Sequence, residues 1–294
     1  MDLETAADVK SRWQGTGNQV IVGGFEDMNS SYTLQFRPEY VKPKNRGTAN
    51  RDVREALLRG IDRPLMTETI TAGLALVADS WVSPNHRLRA ELESAIPQYP
   101  YDLGRAQQLL TQAGWTRGSD GVLVNSDGEK LEVELAGPVR TALQKQQAII
   151  ADGWKPLGVA GQIYVVSAVD DQNAETRSIR PSTYLGSIAA DRYYFEDQLH
   201  SREITGPNNW GKRNRGGYSS PALDISLDRL RATIDGRERV AGYREQLRIA
   251  MGDVALWPLY WDVYPVLAVA GVKADVIHPA KGGVMSNILE WDKN

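Results

Sequence analysis

Apolar residues recur at helical spacing in several stretches of the chain and alternate at strand spacing in others. Val53, Leu57, Leu58 and Ile61 share one face of a helix predicted over 51–61, with Asn50 or Asp52 as its cap. Leu109 and Leu110 give an inward face to a second helix over 103–113, where Asp102 is the cap and Gly114 the stop. Strand-like runs are predicted at 19–22, 31–36, 130–135, 162–166, 184–190, 256–261 and 266–270. Helical patterns fill 140–154, 222–232 and 237–255. Gly23-Gly24 and the stretch 27–29 read as turns between the first two strands.

Strands and helices alternate without a repeated period, so the pattern predicts an α/β protein with a mixed sheet flanked by helices. The breaker-rich run Lys42-Pro43-Lys44-Asn45-Arg46-Gly47 is the expected boundary between an opening segment and the main body. At 294 residues the chain is long enough to bury a sizeable core. Lys plus Arg total 34 against 37 Asp plus Glu, a net charge of −3, so no general field favours nucleic acid. The longest apolar stretch, 263–272, is far short of the roughly 18 residues that a spanning helix needs. Met1-Asp2-Leu3-Glu4-Thr5 is acidic and polar and does not resemble a secretory leader, which predicts either a cytoplasmic protein or a sequence begun downstream of its natural start.

Catalytic signatures are missing. There is no cysteine, hence no thiolate nucleophile and no Cys-based zinc site. Gly186-Ser187 lacks the second glycine of a nucleophile elbow, and Gly211-Lys212-Arg213 does not end as a phosphate-binding loop must. His86, His200 and His278 are far apart and form no metal-ligand spacing, so no cofactor or metal is expected. Trp (8) and Tyr (12) far outnumber Phe (3), and their polar handles suit half-wet recognition surfaces. Trp115 and Trp154, at predicted helix ends, are expected to be core anchors instead. The loop 206–218 combines Trp210, Arg213, Arg215 and Tyr218 with several glycines, a composition that fits recognition.

The segment Arg51-Asp52-Val53-Arg54-Glu55-Ala56-Leu57-Leu58-Arg59-Gly60-Ile61-Asp62-Arg63 resembles the helix-opening signature of the bacterial extracellular solute-binding proteins of family 5, the oligopeptide, dipeptide and nickel-complex binders. Tyr99-Pro100-Tyr101-Asp102 with Ala113-Gly114-Trp115, then Trp154 with Leu157-Gly158-Val159, then Gly217-Tyr218-Ser219-Ser220-Pro221 with Asp224, resemble its later landmarks in order. The resemblance matches the later part of a family member and implies a periplasmic-binding-protein-like (type II) second lobe over 51–265. Residues 1–50 and 266–294 would belong to the first lobe and hinge.

It further implies a non-enzymatic capture subunit of an ABC importer, working outside a bacterial membrane with a membrane permease and binding a peptide between two lobes. The stretch Gly186-Ser187-Ile188-Ala189-Ala190-Asp191 looks like the family's ligand-pairing strand end, with Asp191 for the peptide ammonium and the backbone of Ala189 and Ala190 for its main chain. Arg192-Tyr193-Tyr194-Phe195 follows where peptide binders often carry a Gly/Asp/Pro-rich insertion, so Tyr193 joins the candidate residues and Arg192 is a possible local partner of Asp191. An oligosaccharide or other polar small solute is the alternative ligand, and a regulatory or scaffold module of the same fold the alternative role. The fragment is expected to be monomeric.

Overall fold

A computed structural model describes residues 3–43, 47–189, 198–273 and 292–293. Its helices are α1 (Leu3–Arg12), α2 (Arg51–Arg59), α3 (Arg63–Thr71), α4 (Arg89–Leu92), α5 (Leu103–Gln112), α6 (Thr141–Trp154), α7 (Ala168–Gln172), α8 (Ala174–Ser178), α9 (Pro221–Ala232) and α10 (Gly236–Gly252). The strands are β1 (Gln19–Leu34), β2 (Thr116–Arg117), β3 (Leu123–Val124), β4 (Glu132–Pro138), β5 (Ala160–Val166), β6 (Thr183–Ala189) and β7 (Trp257–Ala268), with the short pair β8 (Val272–Lys273) and β9 (Asp292–Lys293). None of the helices is long and apolar enough to cross a membrane.

The main sheet has the order β5-β4-β6-β1-β7. β4 runs parallel to β5 and to β6, whereas β1 is antiparallel to both β6 and β7. Helices cover both faces. On one side Leu57 and Leu58 of α2, Leu109 and Leu110 of α5, and Ile150 and Trp154 of α6 pack against Leu135, Leu185 and Leu259. On the other, Leu223 and Leu227 of α9 and Leu247 and Met251 of α10 close over Met28, Ile188 and Trp261. Burying both faces makes β4 and β6 near-continuous buried runs, and both were expected as strands from their sequence.

Local capping follows the expected chemistry. Asn50 accepts from the backbone N–H groups of Asp52 and Val53, and Asp102 accepts from Arg105. Gly158, at φ 79°, takes the left-handed position that ends the turn after α6, where a side chain would be strained.

Three expectations change. The two strands expected at 19–22 and 31–36 are one strand, β1, because a register shift between Gly24 and Met28 absorbs the turn-forming residues as a bulge, with Gly24 at φ 111° and Phe25 at φ 60°. The strands expected at 256–261 and 266–270 likewise fuse into β7. Because β1 lies inside the sheet, the boundary expected at Pro43 does not divide it: residues 28–34 pair on both sides with strands of the 51–265 body. Beyond the bulge, among the described residues, 19–24 pair only with 263–268 in a two-stranded ribbon, and α1 packs against β1.

The α2 signature earns its arginines through buried bonds. Arg54 is 3% exposed and donates to the carbonyls of Thr48, Ala49, Asp253 and Val254, with its guanidinium 4.7 Å above the Phe36 ring. Burial pulls its pKa down to about 10, with nearby Asp253 opposing that fall. Replacing Arg54 by Met would leave those carbonyls buried without donors, at a cost of about 3 kcal/mol. Urea denaturation of Arg54→Met checks this; a loss below about 1 kcal/mol would show that water can replace the guanidinium.

Candidate functional site

Crevices in open α/β sheets lie at the carboxyl ends of parallel strands. Here that end is the end of β4 at Pro138 and of β6 at Ala189, where α6 begins at Thr141 and β1 and β7 cross alongside. The register sets Asn29 of β1 opposite both Ser187 of β6 and Tyr260 of β7, so these side chains share one face of the sheet with Asp262, two residues beyond Tyr260. The Asp262 carboxylate accepts from Asn29 Nδ2 at 2.5 Å and Ser187 Oγ at 2.8 Å. Burial pushes its pKa up, the two hydrogen bonds pull it down, Asp27 raises it again, and Arg140 offers slight relief. Tyr264 donates to Asp27 at 3.4 Å, and Asn85 ties down the bulge through the Gly24 carbonyl at 3.0 Å.

These strand ends, where an open α/β sheet places its crevice or recess, carry an oriented carboxylate whose charge is desolvated. The cap position of α6, Arg140, makes no side-chain hydrogen bond to the helix. The recess therefore has a carboxylate suited to a cation and, close by, a helix N-terminus suited to an anion.

The candidate residues fall into two groups. Ala189 is exposed at the end of β6, paired with Asp27 and beside this recess. Ala190, Asp191, Arg192 and Tyr193 lie outside the described residues. The loop 206–218 lies elsewhere. Its base is held at the opposite end of β6: Phe36 donates to the Gly216 carbonyl at 2.9 Å, and Arg37 donates to the carbonyls of Thr205, Arg215 and Ser178. A Cβ on Gly216 would sit 2.0 Å from the Leu34 carbonyl oxygen, so only glycine permits this approach. From Thr183 to Ala189 is six strand steps, or about 20 Å.

Tyr218 is accordingly a core residue and not a cleft wall. It is 4% exposed, stacks edge-on against Phe36 at 5.2 Å and donates to Asp253 at 2.8 Å. Arg215 turns inward towards Tyr32, lying 5.7 Å from its ring and 3.4 Å from its hydroxyl, with its Nε buried and unbonded. Trp210 is half-buried and Arg213 exposed, both on the short turn whose ends are joined at Thr205 and Asn214. The tryptophan excess has a structural origin too: Trp115, Trp154, Trp257 and Trp261 are all buried, and Trp154 and Trp257 donate to carbonyls of α2. That confirms the core role expected of Trp115 and Trp154. Sequence reasoning missed Asp262, Asn29 and Asp27; the only local hint was a charged residue in the middle of an aromatic strand.

The sequence profile of the bacterial extracellular solute-binding proteins, family 5 (middle region), matches residues 5–204. The chain belongs to this family. The chain is 27% identical over 230 residues to protein XP55 of Streptomyces lividans, covering 75% of this chain and 39% of that protein. Its fold is similar to NikZ from Campylobacter jejuni, solved with Ni(L-His), with a TM-score of 0.71 at 19% identity, over 100% of this chain and 56% of that one. It is likewise similar to the oligopeptide-binding protein AppA of Bacillus subtilis, solved with a nonapeptide, with a TM-score of 0.69 at 18% identity, over 98% and 55% of the two chains. The family 5 chain thus spans about half the length of these solved relatives and less of XP55.

Ionisation of Asp262 sets a pH dependence. The folded protein holds this proton more tightly than the unfolded chain, so stability falls as pH rises from the ordinary carboxylate range, about 4, through the raised value. Asp262→Asn can still bond Asn29 and Ser187, the hydroxyl reversing its role, and removes the desolvated charge. It should melt at or above wild type at pH 7, with the difference vanishing below about pH 4. Thermal melts across that range check it; a variant melting lower at pH 7 would mean that the charge is compensated.

Proposed function

We propose that this protein is the solute-capturing component of an ABC importer, a binding protein and not an enzyme, which takes up peptides or oligopeptides outside a bacterial membrane and presents them to a membrane permease. The observation that carries the reading is the under-compensated carboxylate recess at the end of β6, in a chain of family 5. A peptide offers what such a recess lacks: an ammonium for a carboxylate, and main-chain groups that can pair along a strand end whatever the side chains are. AppA of Bacillus subtilis, of similar fold, was solved with a nonapeptide.

In this reading Asp191 takes the ligand ammonium, the backbone of Ala189 and Ala190 pairs with the first peptide unit, and Tyr193 borders the same place. Asp262 lies two strands away on β7, reaches Ser187 of β6 across β1, and adds to the negative potential. The body of the chain acts as the second lobe, and the ribbon of residues 19–24 and 263–268 is the crossing segment towards a first lobe. The bulge at its root supports this assignment, since a bulge concentrates bending in a few residues. Trp210 and Arg213, on the loop anchored at the far end of β6, are secondary candidates that would matter only for a long ligand.

Asp191→Ala in the natural protein should weaken binding of trialanine by about 10- to 100-fold while changing N-acetyl-trialanine little, because one buried charged contact is worth about that factor. Isothermal titration with the two peptides separates the contributions. Equal losses for both would remove Asp191 from the ammonium site. Tryptophan fluorescence that responds to maltotriose and not to either peptide would replace the peptide reading with a sugar.

A further inference from the structure

The main sheet ends in β7 on one side and in β5 on the other. The segment 76–78 fills the β7 edge: Ala78 N–H donates to the Leu259 carbonyl at 3.1 Å, Trp261 N–H donates to the Leu76 carbonyl at 2.9 Å, and Val77 bridges Tyr260. At the other edge, among the described residues, β5 pairs with β4 alone. Native sheets blunt such an edge with charges, proline or a bulge. Residues 160–166 contain no charged residue and no proline, and their register with β4 is unbroken. Ile163, Tyr164 and Val165 stand there 49%, 43% and 42% exposed, so the edge is apolar as well as unpaired.

The ladder with β4 fixes which backbone groups this edge offers. Ala160 N–H donates to the Leu131 carbonyl at 3.0 Å, and the Val166 carbonyl accepts from Val139 N–H at 3.2 Å, so both residues turn their backbone groups towards β4. Alternation along the strand then turns the N–H and C=O groups of Gly161, Ile163 and Val165 outwards. That set is its own complement. In an antiparallel pair centred on Ile163, this residue faces Ile163 of the partner subunit and Gly161 faces Val165 of the partner subunit, so every outward donor meets an outward acceptor. The strand ends favour the same direction. Arg117 sits at the start of β5, where it donates to the Pro156 carbonyl at 2.7 Å beside Gly158, and neighbouring Lys155 is already paired with Asp152 at 2.6 Å. Asp170 sits just past the end of β5, accepting from the Ser167 hydroxyl at 2.8 Å. Both Arg117 and Asp170 are exposed. Antiparallel pairing sets the cationic end of one strand beside the anionic end of the other, whereas parallel pairing sets like charges together.

We propose that the free edge of β5 is an interaction surface for a second copy of this chain, the two β5 strands pairing antiparallel about a two-fold axis at Ile163 and joining two sheets into one. Such a dimer departs from the monomer expected from the sequence and is independent of the peptide reading, since β5 lies at the edge farthest from Asp262 on β7. One seven-residue edge makes a small interface, so a dissociation constant on the order of 100 µM is expected.

Sedimentation velocity of the 294-residue chain from about 5 to about 500 µM brackets that affinity, and the sedimentation coefficient should climb from monomer to dimer across the range. Ile163→Lys sets two ammonium groups opposite each other at the axis; it should melt with the wild type and stay monomeric throughout. Arg117→Glu should weaken association roughly tenfold, and combining it with Asp170→Arg should restore it. In the wild type the amides of Gly161, Ile163 and Val165 should exchange fast in dilute solution and slowly at high concentration, with Gln162 and Tyr164 slow in both. A monomer at every concentration, a dimer that Ile163→Lys leaves intact, amide exchange indifferent to concentration, or a charge swap that fails to restore association would each overturn the proposal.

Discussion

Buried backbone carbonyls outside the sheet must find donors, and in this chain arginine and glutamine side chains supply them. Arg54 serves four carbonyls from two distant segments, 48–49 and 253–254. Arg63 reaches the carbonyls of Ala78 and Tyr99, each at 2.6 Å, while pairing with Asp79. Gln35 and Arg37 do the same for the 178–180 turn and for the 205–215 loop. The guanidinium suits this work because five fixed donors reach several carbonyls at once, whereas an ammonium on a flexible stem does not. The loops at one end of the sheet are therefore not loosely draped. They are tied to α2 and to the end of β1, and the layers on the two faces of the sheet meet through that tie.

The same constraint decides what the loop 206–218 can do. Tyr218 and Arg215 face inward because the base of the loop is pinned by Arg37 and by the contact of Gly216 with Leu34, while Arg213 stays exposed. Tyr218 closes a knot with Arg54, Phe36 and Asp253, in which the phenol bonds the carboxylate and the ring meets Phe36. A composition that suits ligand recognition equally suits the closing of a polar seam between helices. Only the partner distinguishes the two, and Asp253 is 35 residues further along the chain.

Elements whose cause is local were legible in the sequence. Asn50 and Asp102 cap the helices expected of them, and the 3.6-residue spacing of α2, α5 and α6 returns as their buried faces. Where the cause is long-range, the sequence was silent or misleading. Gly23-Gly24 reads as a turn, yet the pairing of β1 with β7 makes it the root of a bulge in a continuous strand. The recess was half legible: Ser187 and Ala189 were within reach of the family signature, but Asp262 depends on the pairing of Asn29 with Tyr260, across more than 200 residues. No window along the chain contains both.

The two ends of the sheet consequently carry different chemistry. At the end where β6 finishes, a carboxylate is held by an amide and a hydroxyl, and among the described residues Arg140 gives its charge only slight relief. At the end where β6 begins, Gln35 and Arg37 are committed to carbonyls, and Glu134 is packed against Arg180. A group already satisfied by its own protein contributes little to binding, since ligand contact merely exchanges one hydrogen bond for another. Under-compensated groups gain the most from a partner, so the desolvated carboxylate of Asp262 marks where the end at which β6 finishes has binding free energy left to give.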